Sequence, residues 1–199
     1  GQYRKSGEEY VVHPILVAAI VAKLSMDEDM VVAALLHDVV EDTPYTLEDI
    51  KPYGDEVTLM VEGLTKIDEI RDQKLLPSYV DQKLISSAMT FRKMLIASIE
   101  DVRVLVIKLC DRLHNMLTLD ALPKKKQKRI AEETLVVYAP IAHRLGISVL
   151  KNLLEDKSFY YIFPQEYNKI QAYLDENGQN HTILLNGFIG RLEKVLVQY

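Results

Sequence analysis

Apolar positions recur every three or four residues along almost the whole chain, the period of helices that bury one face. Pro14 stands where a helix would start, and Ile15 to Leu24 follows as an apolar helix. Ser25 with Glu28 reads as a capping box, so the next helix is expected from about Met26 to Asp42, stopping before Thr43-Pro44. Thr46 with Asp49 opens a shorter helix closed by Pro52-Tyr53-Gly54, and Asp55 to about Lys66 is helical as well. Residues 68–89 are polar, contain Pro77 and lack a clear period, which predicts a long loop. A helix resumes over Phe91 to Ile99. Asp101 to Leu119 is the clearest amphipathic helix, with Val102, Leu105, Val106, Leu109, Leu113 and Met116 on one face. Beyond Leu122-Pro123, Lys124 opens a helix broken or re-entered at Pro140, and a further helix runs from there to about Asp156. Pro164 starts another that ends near Asn177-Gly178, and a last one covers about Thr182 to Val197. No strand pair with a hairpin turn and no internal repeat is visible. The pattern predicts an all-α fold, one domain over 1–199, with a core of about 1–163 and C-terminal helices over 164–199.

Composition narrows the function classes. The 199 residues are 48% hydrophobic and 27% charged, ordinary for a globular domain. A net charge of −5, from 24 basic and 29 acidic residues, argues against a broad nucleic-acid-binding surface but leaves room for a local basic pocket. Cys110 is the only cysteine, so a disulfide framework and a thiolate metal site are both excluded, and a reducing cytoplasm is expected. The longest apolar runs, Ile15 to Ala22 and Met30 to Leu36, fall far short of the ~20 residues that cross a bilayer. The chain opens at Gly1-Gln2 without a methionine and is expected to be part of a longer protein.

His37-Asp38-Val39-Val40-Glu41-Asp42 interrupts an apolar helical run with an imidazole and three carboxylates. Buried charges are costly unless paired or bound to metal, so the stretch suggests a hydrolytic metal centre. At ~100° per residue the four polar groups fall within a wedge of roughly 140° on one helix. The competing reading is a solvated charge cluster at a helix end. Asp111, one turn from Asn115 beside the apolar stripe, is a second candidate, and alone would pass for a salt-bridged aspartate. His13, just before Pro14, is a third, and alone would pass for a cap. Two histidines and two aspartates make a sensible set for Mn²⁺, Fe²⁺ or Zn²⁺. Tyr3-Arg4-Lys5-Ser6-Gly7 offers cations and a hydroxyl on a loop, a plausible phosphate contact. The basic run Lys124-Lys125-Lys126, Lys128, Arg129 is compatible with a polyanion but equally with a solvated helix start.

In this order the motifs resemble one family: Arg4-Lys5-Ser6-Gly7-Glu8, Tyr10-Val11-Val12-His13-Pro14, His37 to Asp42, Gly63-Leu64-Thr65-Lys66, Phe91-Arg92-Lys93-Met94, Asp111-Arg112-Leu113-His114-Asn115-Met116 and Ala142-His143-Arg144-Leu145-Gly146. They resemble the hydrolase domain of the RelA/SpoT family, over roughly residues 1–170. The resemblance implies the all-helical HD-domain superfamily fold. It implies manganese-dependent removal of the 3′-pyrophosphate from the alarmones ppGpp and pppGpp, in the stringent response. It further implies that His13, His37, Asp38 and Asp111 hold Mn²⁺ and that Glu41 and Asp42 serve the chemistry. Arg4, Lys5, Ser6, Asn115 and Thr118 would line the nucleotide site, with Lys128 as a phosphate contact. The parent chain would carry a synthetase domain. Two alternatives stand beside this: an HD phosphohydrolase for another nucleotide, and a non-catalytic alarmone-sensing module that regulates an attached synthetase. The stretch from Lys66 to Phe91 departs from the family, being longer and carrying Ser87-Ala88-Met89-Thr90 before the Phe-Arg-Lys motif.

Overall fold

The computed structural model describes residues 2–25, 27–72, 96 and 101–196. Among them every regular element is helical, and a lone antiparallel bridge joins Tyr3 to Glu9. The chain divides into two units, Gly1–Ser158 and Phe159–Tyr199.

In the first unit α1 (Val12–Leu24) packs on α2 (Glu28–Leu36) and α6 (Val102–Leu117), α2 packs on α5 (Asp55–Asp72), and α5 packs on α6. Short α3 (Val39–Asp42) and α4 (Leu47–Ile50) lie between α2 and α5. Val17, Val21, Ala33, Val57, Met60, Val61, Ile107 and Leu109 are fully buried in this core. At that depth each large aliphatic contributes about 1.5–3 kcal/mol relative to exposure. Gly63 lets α5 approach α6 closely: a Cβ there would lie 2.9 Å from Val104 Cγ2.

Several expected boundaries are corrected. Asp27, not Ser25, caps α2, its carboxylate accepting from the Asp29 and Met30 amides, while Ser25 closes α1. The helix expected over 26–42 is two helices. It stops at Leu36, turns through His37 and Asp38, and restarts at Val39. The Thr46–Asp49 capping box forms as read, and Gly54 takes φ 122°, a conformation open to glycine, to end the 3₁₀ turn Lys51–Tyr53. α5 runs on to Asp72, so the start of the expected 68–89 loop is helical. The rest of that loop and the Phe91–Ile99 helix, apart from Ile96, lie outside the described residues.

α6 is buried nearly all round rather than on one stripe, and Val102, expected on the buried face, is 49% exposed. From α7 (Lys124–Glu133) the helix continues through a π-helical segment, Thr134–Tyr138, into α8 (Ala139–Arg144). Pro140 lacks an N–H to donate, and it falls in the first turn of α8, directly after the widened π turn. Gly146, at φ 74°, then separates α8 from α9 (Ser148–Ile162), where one helix was expected. The second unit holds the last residues of α9 and all of α10, a single helix over Pro164–Leu196. The expected break at Asn177-Gly178 is absent.

Candidate metal centre

Three places in the first unit converge: the first turn of α1, the α2–α3 junction and the middle of α6. α1 presents His13, which is 3% exposed. The end of α2 presents His37, also 3% exposed. His37 Nδ1 lies 2.8 Å from the Ala34 carbonyl, a contact that makes Nδ1–H the donor and leaves Nε2 with a lone pair. This bond satisfies one of the last carbonyls of α2 and so helps end the helix. The turn that follows, with Asp38 at φ −98° and ψ −3°, brings its carboxylate beside the ring it follows in sequence. α6 presents Asp111 from a helix capped by Asp101, whose carboxylate accepts from the Arg103 amide.

Side-chain atoms of His13, His37 and Asp38 all lie within 4.8 Å of one another. His13 Nε2 is 3.2 Å from Asp111 Oδ1 and 3.6 Å from Asp38 Oδ2. His37 Nε2 is 3.0 Å from Asp38 Oδ1 and 4.0 Å from Asp111 Oδ1. It is buried, and among the described residues it makes no hydrogen bond. A buried nitrogen with its lone pair aimed at two carboxylates suits a cation, and the set of two imidazoles and two carboxylates fits a divalent transition metal.

The two carboxylates of the cage are held in the form a cation needs, whereas His37 is held toward its protonated form, with which a cation competes. Burial pushes the Asp38 carboxyl up, but the adjacent His37 imidazole outweighs it, and the group sits below its ordinary range. Asp111 sits well below its range for the same kind of reason: burial opposes ionisation, while Lys108, His13 and His37 favour it. Lys108 Nζ reaches Asp111 Oδ2 at 3.2 Å. His37 is raised above the ordinary imidazole value; burial works against that, and Asp38 and Asp111 prevail.

Around the four lies an outer layer. Tyr10 Oη contacts Asp38 Oδ2 at 2.6 Å and Asp42 Oδ2 at 2.5 Å. Burial and these two carboxylates push its pKa far up, so it stays a phenol. Asn115 donates to Asp111 Oδ1 at 2.6 Å and accepts from Arg4 Nη2. Arg4 Nη1 lies 3.1 Å from His13 Nδ1 and 3.0 Å from His114 Nδ1, and the two imidazole nitrogens are 2.7 Å apart. Burial, the His13 charge and Arg4 lower the His114 pKa to about 4.

The structure thus brings His13, His37, Asp38 and Asp111 together, with Asn115 and Arg4 against them. Glu41 and Asp42 sit on exposed α3, Asp42 joined to the cage through Tyr10. Thr118 caps the end of α6 and donates to the His114 carbonyl. Lys5, Ser6 and Lys128 are exposed, and none of the described contacts ties them to the cage. Gly7, at φ 87°, turns the chain so that Arg4 faces inward and Lys5 and Ser6 outward. Tyr10, His114 and Lys108 were given no role by sequence reasoning. For Lys108 the available signal was its i,i+3 spacing to Asp111 on an otherwise largely apolar helix; nothing of the kind marked Tyr10 or His114.

Residues 1–148 match the HD_4 family, described as HD domain. The chain is 45% identical over 186 residues to a guanosine-3′,5′-bis(diphosphate) 3′-pyrophosphohydrolase of Haemophilus influenzae, covering 93% of this chain and 26% of that protein. It is 49% identical over 177 residues to a GTP pyrophosphokinase of Myxococcus xanthus, covering 88% of this chain and 23% of that one. A solved structure described as a metazoan ortholog of SpoT that hydrolyzes ppGpp matches with a TM-score of 0.54 and 28% identity, over 79% of this chain and 85% of that chain. The chain spans about a quarter of the length of these curated relatives.

Proposed function

The chain belongs to the HD-domain family, as a hydrolase domain of the RelA/SpoT type, and from that membership we propose that it hydrolyses the 3′-pyrophosphate of (p)ppGpp. The observation that carries the reading is the buried cage itself: a His37 Nε2 with no hydrogen-bond partner among the described residues, facing two ionised aspartates and a second imidazole. Buried ring nitrogens are rarely left without a partner, and a cation would satisfy this one.

His13, His37, Asp38 and Asp111 would hold the cation, which we take to be Mn²⁺. When bound, it supplies a water acidified toward neutral pH and offsets charge on the phosphoryl oxygens. Glu41 and Asp42 take the proton released as water attacks the phosphorus joined to the ribose 3′ oxygen, and return a proton to that oxygen as its bond to phosphorus breaks. The products are GDP or GTP and pyrophosphate. Tyr10 fixes the Asp42 carboxylate relative to the Asp38 ligand. Arg4, Lys5, Ser6, Asn115 and Thr118 line the nucleotide site, and Lys128 meets a phosphate. In the parent protein a synthetase domain would follow in the same chain. The partner is a small nucleotide rather than nucleic acid. Among the described residues no helix is long and apolar enough to cross a membrane, and we place the protein in the cytoplasm.

The test is pyrophosphate release from ppGpp with Mn²⁺ supplied. Asp38→Asn and Asp111→Ala should each lose more than the roughly 10–100-fold typical of changes behind a metal's direct ligands. Either variant turning over at near the wild-type rate would sink the site assignment, and turnover of deoxynucleoside monophosphates in preference to ppGpp would sink the substrate.

A further inference from the structure

We infer that His114 is a positioning residue for the metal ligand His13: its Nδ1 lone pair accepts the His13 Nδ1 hydrogen and so keeps His13 Nε2 free to bind a cation. This rests on the proposed metal site. It concerns a residue to which neither the sequence motifs nor the relatives' names assign a task.

Two imidazole nitrogens 2.7 Å apart must have a hydrogen between them, because facing lone pairs would repel at that distance. Two arrangements supply one. In the first, His13 Nε2–H donates to Asp111, 3.2 Å away, so His13 Nδ1 is bare and His114 must donate. In the second, Nε2 carries a lone pair for a cation, so Nδ1 carries the hydrogen and His114 must accept. A neutral His114 serves either arrangement by exchanging tautomers, which an aliphatic or purely donating side chain could not do. Arg4 sharpens the choice. A guanidinium only donates, and Nη1 stands 3.0 Å from His114 Nδ1 and 3.1 Å from His13 Nδ1. With His13 bound to a cation, Arg4 and His13 both donate to the one lone pair on His114. Arg4 also holds Asn115, which donates to Asp111, so the same guanidinium braces two of the four ligands. His114 is 3% exposed and its ring stacks at an angle on His13, centroids 4.8 Å apart, so water cannot readily replace it.

The experiment measures Mn²⁺ affinity of the protein without nucleotide, by the paramagnetic resonance signal of free Mn²⁺, with helicity checked by circular dichroism. His114→Leu keeps bulk and removes the acceptor, and its affinity should fall about 10–100-fold. His114→Gln keeps polarity but moves the amide away from the Nδ1 position, and should fall similarly. His114→Asn puts an amide oxygen where Nδ1 stood, and should bind within a few-fold of wild type, about fivefold at most. Should the leucine variant not fold, the glutamine and asparagine pair decides. Glutamine binding as tightly as wild type, or asparagine as weakly as glutamine, overturns the inference. Wild-type protein that takes up no metal overturns the metal reading itself, and this inference with it.

Discussion

Tyr10 sets one hydroxyl hydrogen between two carboxylates, the Asp38 oxygen of the cage and the Asp42 oxygen beside it. The shared hydroxyl couples the two, holding the exposed Asp42 carboxylate beside the half-buried Asp38. Tyr10→Phe leaves the ring's packing and removes that link. Pyrophosphate release from ppGpp should then drop by about 10–100-fold in kcat, the range typical of groups that orient ligands from behind. An unchanged kcat would show that Asp42 needs no such tether. At this scale the residue types carried most of what sequence could reveal. Two histidines and two aspartates stood out because charged groups in apolar runs need an explanation. Tyr10 and His114 did not, since tyrosines and histidines satisfy themselves in cores everywhere, and only the distances of 2.5–2.7 Å distinguish them. Arg4 was expected to face a nucleotide, and it holds His114 and Asn115 as well, because Gly7 bends the loop inward.

The helices that carry these groups are held in place by close packing and by one ion cluster. Gly63 on α5 faces Val104 on α6, and Val104 is β-branched and 1% exposed, so it cannot swing aside. Gly63→Ala would gain roughly 1 kcal/mol of helix propensity and lose about 1–3 kcal/mol to overpacking. The net should be a destabilisation of about 1 kcal/mol, lowering Tm by a few degrees, about 2–4 °C for a chain of this size. The loss should vanish in a Val104→Ala background, and its persistence there would refute the steric cause. Nearby, Arg103 on α6 reaches Asp27 before α2, Glu56 on α5 and its own cap Asp101. Burial opposes ionisation of Asp27 and Asp101, but Arg103 prevails and holds both below 3.8. Because the unfolded chain binds protons there more readily, these carboxylates stabilise the fold above pH 3.8, and that contribution is lost as pH falls through 3.8 toward their folded values. Arg103→Met should cost about 1–2 kcal/mol at neutral pH and flatten the acid limb of the denaturation curve. An acid limb as steep as in wild type would remove Arg103 as its cause. Periodicity located nearly every helix but misjudged some ends. It ran through His37-Asp38 because a turn of two residues barely disturbs a 3.6-residue repeat. It stopped at Asn177-Gly178 because glycine weakens a helix, though by only about 1 kcal/mol, too little to break α10 by itself.

The four proposed ligands come from three stretches of the first unit, α1, the α2–α3 junction and α6, and periodicity says nothing about which helices meet. Residue types said something: two imidazoles and two carboxylates make a set that suits one shared cation, and the family resemblance implied the same four residues. The same geometry makes the cation a staple. The unfolded chain holds these groups far apart, so the metal binds the native state and stabilises it by RT ln(1 + [M]/Kd), about 2.7 kcal/mol at a hundred times Kd. For a chain of this size that corresponds to a rise in Tm of roughly 5–10 °C. Without metal, the Asp38 and Asp111 carboxylates face His37 Nε2 and favour a proton there, which the metal must displace. Since the folded pKa of His37 lies above 6.5, the stabilisation by Mn²⁺ should be largest at alkaline pH and shrink as pH falls through that raised value. Thermal denaturation with Mn²⁺ or with EDTA, at about pH 8.5 and about pH 6, measures both effects. Asp111→Asn should abolish the metal-dependent rise, whereas Glu48→Gln, at the exposed start of α4, should leave it intact. A metal-dependent rise that survives Asp111→Asn would mean that the cation stabilises the protein from somewhere other than this cage.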